Sequence, residues 1–433
     1  MGSNKYRKEF SFYVLLLFAT VLMVKSFYAG SPNFAPEGQE SVKLQEAGKQ
    51  ESEKRQEPKE KESEKGQEPE KQADSQEAGK DQEEKNFPGE ELTFWYYGSE
   101  NKEFFESCAE AFGQETGAVV NVIEQQSLNY FSGVYEASKT GEGMPDVYLL
   151  PGEQLEQAYL TQILSADKKE LPEGCAKMAE SACDFREDGN LYGYPLYFDT
   201  RLFFYRTDYF ETAPASIQEI IDYAVENEPT EGVEKLLEWD LSDPCSNFAF
   251  LGNAITFQKE EGCITPEYRE EEFEALKIFF ANLTAVIALD EEEQSGRKVA
   301  EDFAGGKTVA ALLSPEELGE LGEGCQVEML PKLNEELNMC GLSETTVVCV
   351  NGMTEKDQAA QEFAAYVSSS VQAEKLNEMT GHIPVTETAL EGELQKTAWQ
   401  QYESGREKPD GLNVTDFWVK FQSQALKVWH DAE

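Results

Sequence analysis

From residue 91 onward, short apolar runs alternate along the chain with longer amphipathic stretches. The run ELTFWYYGS (91–99) is rich in β-forming residues, and the stretch after it repeats apolar residues at helical spacing up to Gly117. AVVNVIEQ and DVYLL predict two more strands, and LNYFSGVYEASKTGEG and EQLEQAYLTQIL predict two more helices. This alternation predicts an α/β fold with a mainly parallel sheet and helices on both faces.

The stretch GEGMPDVYLLPG (141–152) places a short apolar run between two abrupt turns. In open α/β sheets, ligands bind outside the carboxyl ends of the strands. We therefore expect Asp146 to open a buried strand at the end far from a ligand. Pro151 and Gly152 are expected to leave that strand at the binding edge.

The second half of the chain continues the pattern. The aromatic stretch LYGYPLYFDTRLFFYRTDYF (191–210) fits either a segment that crosses between two lobes or a plain β-hairpin. The stretch EKDQAAQEFAAYVSSSVQAEKLNEMTG predicts one long amphipathic helix that ends at Gly381. VTDFWVKFQSQALKVW predicts a closing helix.

The first 90 residues follow neither pattern. Residues 1–30 combine basic residues with an uncharged run from Phe10 to Val24, which predicts a signal peptide or a signal anchor that leaves the rest of the chain outside the cytoplasm. Residues 31–90 repeat ESEKRQEP as ESEKGQEP and contain almost nothing apolar, so they predict a disordered Glu/Gln/Lys-rich spacer. An uncleaved anchor tethers the folded part, residues 91–433, to the membrane, and cleavage releases it.

The negative charge of the chain lies in its predicted folded part. Residues 1–30 hold four basic and one acidic residue, and residues 31–90 hold ten and seventeen, which leaves 23 of the chain's 37 basic and 66 of its 84 acidic residues for 91–433. That part has a net charge of −43, which repels nucleic acids and other anionic polymers. We therefore expect no nucleic-acid partner.

The sequence offers little chemistry for a metal site, a cofactor or catalysis. Its eight cysteines include no C-x-x-C pair, and its two histidines are His382 and His430. We find no nucleophile motif and no phosphate-binding loop, and pairs of carboxylates are inevitable in so acidic a chain. We expect no catalytic residues, no metal and no cofactor, and the cysteines fit either disulfides or small buried side chains.

Five blocks occur in an order that is typical of one known family. They are TGAVVNVIEQ, GEGMPDVYLLPGEQLEQAYLTQIL, LYGYPLYFDTRLFFYRTDYF, VAEDFAGGKTVAALLS and EKDQAAQEFAAYVSSSVQAEKLNEMTGHIPV. With these blocks, residues of about 91–433 resemble the extracellular solute-binding proteins of ABC importers, the group that includes maltose-binding protein.

The resemblance implies a two-lobe, type 2 periplasmic-binding-protein-like fold. The first lobe is expected over about 91–198 plus 340–384 and the second over about 202–335 plus 388–433. Hinge strands are expected near 196–203, 331–342 and 381–388. A small solute, with carbohydrate as the favoured class, is expected to bind between the lobes as the hinge closes and to pass to an ABC permease. The protein is expected to be a monomer.

The resemblance also implies solute contacts in which aromatic rings stack on sugar faces and polar side chains bond hydroxyl groups. The candidates are Trp95, Tyr97, Glu100, Glu153, Gln154, Asp199 and Trp418. Several have an ordinary alternative: Trp95 and Trp418 as core residues, and Asp199 as a salt-bridge partner of Arg201. Leu150 and the stretch LSPEEL stand where maltose-type relatives carry aromatic residues, so maltodextrin is not the favoured ligand.

A second interpretation keeps the fold but not the transport role. No cysteine precedes Cys108, so the N-terminus lacks the residue that a lipid anchor requires. That absence and the altered pocket positions favour a membrane-anchored domain that acts as a sensor partner or a surface scaffold. An enzyme is the weakest alternative, because the chain offers no set of residues to which a reaction can be assigned.

Overall fold

The computed structural model describes residues 86–167, 171–227, 231–284, 295–319 and 321–432. The predicted signal or anchor segment and nearly all of the predicted spacer lie outside the described residues. Within the described part, helices cover two mixed β-sheets, and each sheet forms the centre of one lobe. No helix in this part has both the length and the apolar character that crossing a membrane requires.

Strands and helices alternate through most of the described chain. The strands are β1 (Glu91–Tyr96), β2 (Val119–Glu124), β3 (Val147–Pro151), β4 (Tyr194–Thr200), β5 (Leu202–Arg206), β6 (Lys235–Trp239), β7 (Ile255–Glu260), β8 (Cys263–Tyr268), β9 (Thr308–Leu313), β10 (Cys325–Glu328), β11 (Leu342–Val350), β12 (Ile383–Pro384) and β13 (Arg406–Glu407). The helices are α1 (Lys102–Thr116), α2 (Tyr130–Thr140), α3 (Leu155–Leu160), α4 (Lys177–Cys183), α5 (Ile217–Glu226), α6 (Pro244–Leu251), α7 (Glu270–Thr284), α8 (Gly296–Ala304), α9 (Pro315–Leu318), α10 (Asp357–Val367), α11 (Ser370–Thr380), α12 (Gly392–Ser404) and α13 (Val414–Ala432).

The first lobe is built on a seven-stranded sheet in the order β12–β4–β11–β3–β1–β2, with β13 paired to β11. Successive side chains of a strand point to opposite faces, so alternate residues of β1 form one layer of the core. In that layer Phe94 packs edge-on against Phe105 of α1 at 4.8 Å and against Phe363 of α10 at 5.6 Å. Tyr148 and Leu150 of β3 are buried on the other face, against α2.

The second lobe is built on a four-stranded sheet in the order β10–β5–β9–β6, in which only β6 and β9 are parallel. The closing helix α13 belongs to this lobe, because its apolar side chains share the core of β6, α6 and α7. Trp429 of α13 lies 5.0 Å from Trp239 and 4.3 Å from Phe280, measured between ring centroids. The β7–β8 hairpin is also packed on this core.

The chain crosses between the lobes at several points. A single residue, Arg201, joins β4 in the first sheet to β5 in the second, so the stretch 191–210 is a crossing segment and not a hairpin. The chain returns to the first sheet between β10 and β11 and leaves it after β12. After α12 it pairs once more with the first sheet as β13, before α13.

The crossing region has an apolar core of its own. Phe198 of β4 stacks on Tyr402 of α12, with ring centroids 4.1 Å apart and planes 10° apart. Phe204 and Leu313 of the second sheet and Ile383 of β12 are buried in the same cluster. The two lobes are therefore joined by packed side chains as well as by backbone.

The direction of the strands corrects one prediction. The first sheet is not mainly parallel: β11 runs antiparallel to β3 and β4, and β12 runs antiparallel to β4. Only β2, β1 and β3 form the expected parallel group, with β13 parallel to β11. The antiparallel strands are those that leave for the second lobe or return from it, and such strands lack the helical crossover that makes neighbours parallel.

Two helix predictions also change. The single helix expected up to Gly381 is two helices, α10 and α11, separated at Ser368 and Ser369. The hydroxyl of Ser369 donates to the carbonyl of Tyr366 at 2.7 Å, and such local bonds compete with the helical ladder. Gly381 ends α11 with a φ of 81°, as predicted. The helix expected up to Leu164 ends at Leu160.

Candidate functional site

The junction between the lobes brings together the carboxyl edge of the first sheet and α13 of the second lobe. The 3-10 turn Gly152–Gln154 follows β3 and carries Glu153. Trp418 of α13 donates its Nε1–H to Glu153 Oε2 at 3.0 Å. Burial raises the pKa of Glu153. Two predicted site residues therefore meet directly across the junction.

Lys408, directly after β13, completes this cluster. Its ammonium group contacts the carboxylate of Glu344 on β11, lies 3.9 Å from Glu153 Oε2 and lies 6.0 Å from the centroid of the Trp418 ring. Burial disfavours the charge on Lys408. Cys245, Glu344 and Glu153 outweigh this effect and raise the pKa of Lys408 well above its ordinary value. The cluster thus holds two carboxylates, one ammonium group and one indole.

Arg201 links two carboxylates where the chain crosses between the sheets. Its Nη1–H donates to Asp199 Oδ2 at 2.6 Å, and its Nε–H donates to Asp243 Oδ2 at 2.9 Å. Asp243 also caps α6 by accepting the backbone N–H of Ser246 at 2.8 Å. Burial raises the pKa of Asp199 to about 6, although Arg201 opposes the rise. The internal salt bridge is therefore present, and Asp199 Oδ1 remains buried without a hydrogen-bond partner in the described part of the chain.

Tyr97 and Asn101 lie beyond the carboxyl end of β1. The ring of Tyr97 packs edge-on against Tyr130 at 4.9 Å, and burial raises the pKa of Tyr97 well above its ordinary value. Asn101 is 1% exposed and donates its Nδ2–H to the carbonyl of Tyr97 at 3.1 Å. Among the described residues, Asn101 Oδ1 has no hydrogen-bond partner. This end of the junction therefore holds a buried acceptor that the protein itself leaves unused.

The other three candidates lie on the first lobe. Trp95 is half-buried in the layer between β1 and α2, and its carbonyl accepts the hydroxyl of Tyr130 at 2.9 Å. Gln154 is half-buried beside Glu153 in the 3-10 turn. Glu100 is exposed, and its carboxylate occupies the space that a Cβ on Gly98 would take.

His382 lies directly before β12, where the chain is about to leave the first sheet. Its ring stacks on Tyr197 with centroids 3.9 Å apart and planes 6° apart. Its Nδ1 contacts Glu316 of α9, which belongs to the second lobe. The side chain of His382 therefore links the first lobe to α9 of the second lobe.

A cavity of about 560 Å³ opens beside Lys408. Gly152, α4 with the loop after it, and residues 407–410 line the cavity. Glu407 accepts the backbone N–H of Thr345 at 2.8 Å and its hydroxyl at 2.9 Å, and burial raises the pKa of Glu407 to about 8. The volume lies in the range of small-molecule sites. No group of His, Cys, Asp or Glu side chains suited to a metal ion occurs in the described part of the chain.

Sequence reasoning missed Glu344, Lys408 and Asn101. Asp243 could have been found, because an Asp directly before a Pro at the start of a helix is a typical N-cap signal. Lys408 carries no such local signal. It stands in the polar stretch REKPDG, and its partners are supplied by β11, by the turn after β3 and by α13.

The model of one protein family, the bacterial extracellular solute-binding proteins, matches residues 107–404. The chain belongs to this family. It is therefore an extracytoplasmic solute-binding protein of the kind that serves ABC importers, and not an enzyme. No curated protein sequence matches it.

Solved structures share the fold of this solute-binding protein. The extracellular solute-binding protein from Staphylococcus aureus in complex with maltose is 15% identical, with a TM-score of 0.67 over 80% of this chain and 94% of that chain. A cyclo/maltodextrin-binding protein complexed with maltotetraose is 17% identical, with a TM-score of 0.69 over the same shares of 80% and 94%. The maltotriose-binding protein of Thermus thermophilus is 18% identical, with a TM-score of 0.62 over 78% and 94%. At these identities the likeness establishes the two-lobe fold.

Proposed function

We propose that this solute-binding protein captures a small carbohydrate between its lobes and delivers it to the permease of an ABC importer. The contact between Glu153 and Trp418 carries the proposal. A carboxylate from one lobe and an indole from the other meet at the junction, and such groups bind the hydroxyls and the apolar face of a sugar. Relatives that were solved with maltose, maltotriose and maltotetraose support the carbohydrate class.

The candidate contacts take complementary roles. The rings of Trp418, Tyr97 and Trp95 are the proposed aromatic contacts, and the proposed polar contacts are Glu100, Glu153, Gln154 and Asp199. Asn101 is an addition to this set. Its Oδ1 and Asp199 Oδ1 are buried and lack partners among the described residues, and a buried acceptor without a donor costs free energy. Solute hydroxyl groups that donate to these two atoms are expected to remove that cost.

The long maltodextrins bound by some relatives are not the expected ligands. Leu150 is fully buried in β3, so it offers no stacking surface where maltose-type proteins carry an aromatic residue. Pro315 of the LSPEEL stretch is also buried, at the start of α9. A short solute that fills the space near Glu153 and Lys408 fits these positions better.

Closure of the lobes on the solute is the proposed mechanism. The proposed lobes are about 91–198 plus 340–384 and about 202–335 plus 388–433, with hinge segments near 196–203, 331–342 and 381–388. A solute that contacts both lobes stabilises the closed state, because ligands shift such equilibria by their differential affinity. The permease then distinguishes the solute-bound protein from the solute-free protein by its closed conformation.

The N-terminal segment is proposed to set the place of capture. Residues 1–30 export the chain or anchor it, and residues 31–90 act as a flexible spacer that lets a monomeric domain move above the membrane. Cell fractionation of the full chain and of a chain that begins at residue 31 tests the tether. A full chain found wholly in the soluble extracellular fraction contradicts it. The molar mass of the protein in solution, measured by light scattering, tests whether it is a monomer.

A thermal-shift screen of sugars, amino acids and short peptides tests the proposed function. A solute present at a hundred times its Kd adds about 2.7 kcal/mol of stability. Solution scattering of the same complex is expected to show a smaller radius of gyration. The Trp418→Ala protein is expected to lose both effects, whereas Val419→Ala, an exposed neighbour on the same helix, keeps them. No shift with any solute, or a shift without compaction, contradicts capture by closure.

A further inference from the structure

We propose that Lys408 selects solutes by charge. Its ammonium group occupies a cage formed by Glu153, Glu344 and Trp418, so the site next to it accepts neutral polyhydroxylated solutes and rejects cationic ones. This inference rests on the proposed function and narrows its solute class.

The cage is assembled from three separate parts of the chain. Glu344 comes from β11, Glu153 from the turn after β3, and Trp418 from α13 of the second lobe. Two carboxylates and the face of an indole are the groups that bind an ammonium ion in proteins. The backbone N–H of Lys408 donates to the carbonyl of Ser343 at 2.8 Å, which anchors the residue beside the cage.

The two carboxylates of the cage require a positive charge between them. The side chains of Glu153 and Glu344 are 16% and 27% exposed, so water screens them only in part. Like charges in such surroundings disfavour each other's ionised form, and the negative charge of Glu344 adds to the effect of burial on Glu153. Lys408, 18% exposed, supplies the balancing positive charge. A cationic solute would have to displace a cation that the chain itself supplies.

The same ammonium group has a donor to spare. It carries three N–H donors, and within the described part of the chain Glu344 is its only hydrogen-bond acceptor, since Glu153 Oε2 is 3.9 Å away. Lys408 also lines the cavity of about 560 Å³. A solute hydroxyl group that reaches this ammonium group can accept one of its N–H groups, whereas an amine cation is repelled by the like charge. Lys408 is therefore a specificity-determining contact rather than a purely structural one.

Emptying the cage tests the inference without knowledge of the natural solute. The Lys408→Ala protein is expected to bind propylammonium about tenfold more tightly than the wild-type protein does, as measured by thermal shift, because two carboxylates and an indole face then lack a cation. Propanol, a neutral probe of similar size, is expected to have no effect on either protein. Lys420→Ala removes a 75% exposed lysine from the helix of Trp418 and is the matched control. Equal responses of Lys408→Ala and wild type to propylammonium overturn the cage.

A second variant covers the case in which Lys408→Ala does not fold. The double variant Glu344→Gln/Lys408→Ala removes the like-charge pair together with the cation. It is expected to fold and to show no thermal shift with propylammonium. A double variant that is as unfolded as the single one, or that still binds propylammonium, overturns the inference.

Selectivity among solutes gives the remaining test. The wild-type protein is expected to prefer glucose to glucosamine, which differs from it only by an ammonium group at C2, and Lys408→Ala is expected to reverse that order. A wild-type protein that prefers glucosamine contradicts charge selection. A wild-type protein that binds no solute of the screen contradicts the proposed function instead. In that case, the comparison of propylammonium binding by Lys408→Ala and wild type still tests whether the cage binds a cation.

Discussion

Trp418 and Glu153 lie 265 residues apart in the sequence, and the indole N–H of the first donates to the carboxylate of the second at 3.0 Å. A second polar link joins the lobes nearby, where Lys259 of β7 donates to Glu156 of α3 at 2.9 Å. Each link has one partner in each lobe. Each is therefore sensitive to how closely the lobes approach.

Replacement of Trp418 by Phe tests the first link, because it keeps an aromatic ring and removes the donor to Glu153. Hydrogen bonds to charged groups contribute about 1.5–3 kcal/mol, so we expect the free energy of unfolding in urea to fall by roughly that amount. Scattering is expected to show more widely separated lobes. If Trp418→Phe is as stable and compact as Val419→Ala, the link has no energetic role.

Replacement of Lys259 by Met tests the second link. Glu156 is 6% exposed in its side chain, and Lys259 also donates to Asp410 at 2.8 Å. Removing the cation leaves Glu156 with Arg186 at 3.7 Å, so we expect a loss of about 1–3 kcal/mol in urea unfolding, smaller than for a fully buried pair. Lys277→Met, which breaks an exposed pair with Glu274, is expected to cost less than about 0.5 kcal/mol. Equal losses in the two variants contradict the link.

Glu407 makes stability depend on pH in a defined window. Burial raises its pKa from 4.5 to about 8, so the folded state binds this proton more tightly than the unfolded chain does. The contribution of Glu407 is therefore most favourable below pH 4.5, falls as the pH rises toward about 8, and stays constant above that. Glu407→Gln resembles the protonated acid and does not titrate. We expect it to match the wild type near the acid end of the window and to exceed it by a few kcal/mol at the alkaline end, at about 1.4 kcal/mol per pKa unit.

Urea unfolding at a series of pH values measures this difference. Glu335→Gln, at an exposed position, provides the control and is expected to follow the wild type throughout. A gap between Glu407→Gln and the wild type that does not change with pH rules out titration of Glu407 as its cause.

The cysteines give a prediction about reactivity. All eight are unpaired, and Cys263 is exposed, Cys175 is half-buried and the others are buried. Burial raises the pKa of Cys175 to about 12, which keeps it in the unreactive thiol form. A colorimetric thiol reagent is therefore expected to modify one thiol rapidly in the folded protein, and Cys263→Ser is expected to remove that phase. Absence of a rapid phase in the wild type contradicts an accessible Cys263.

Local sequence patterns were sufficient to predict much of the fold. The alternation of buried residues in β1 and the helical stripe of α1, which ends at Gly117 with a φ of 80°, are set by neighbours in the sequence. The directions of β4 and β11 are not. They depend on contacts such as the hydrogen bond from Ser343 to Thr200, 143 residues apart, which no local pattern encodes.

The candidate site divides in the same way. The end of β3 could be predicted from the sequence, and the resemblance to solute-binding proteins implied that Glu153, directly after it, contacts the solute. Lys408 could not be, because its role depends on Glu344, 64 residues away, and on a helix from the other lobe. In a chain with 84 acidic residues, no single carboxylate stands out as the partner of a given lysine.

The late position of β12 and β13 has a consequence for biogenesis. Strands β1 and β3 emerge early during synthesis, but β11, which pairs with β3, follows about two hundred residues later, and β12 and β13 come later still. Pairing over such distances is slow, and the complete first sheet cannot form until most of the chain has been synthesised. A polypeptide of this topology therefore remains incompletely folded during synthesis, which is the state that passage through a narrow translocation channel requires.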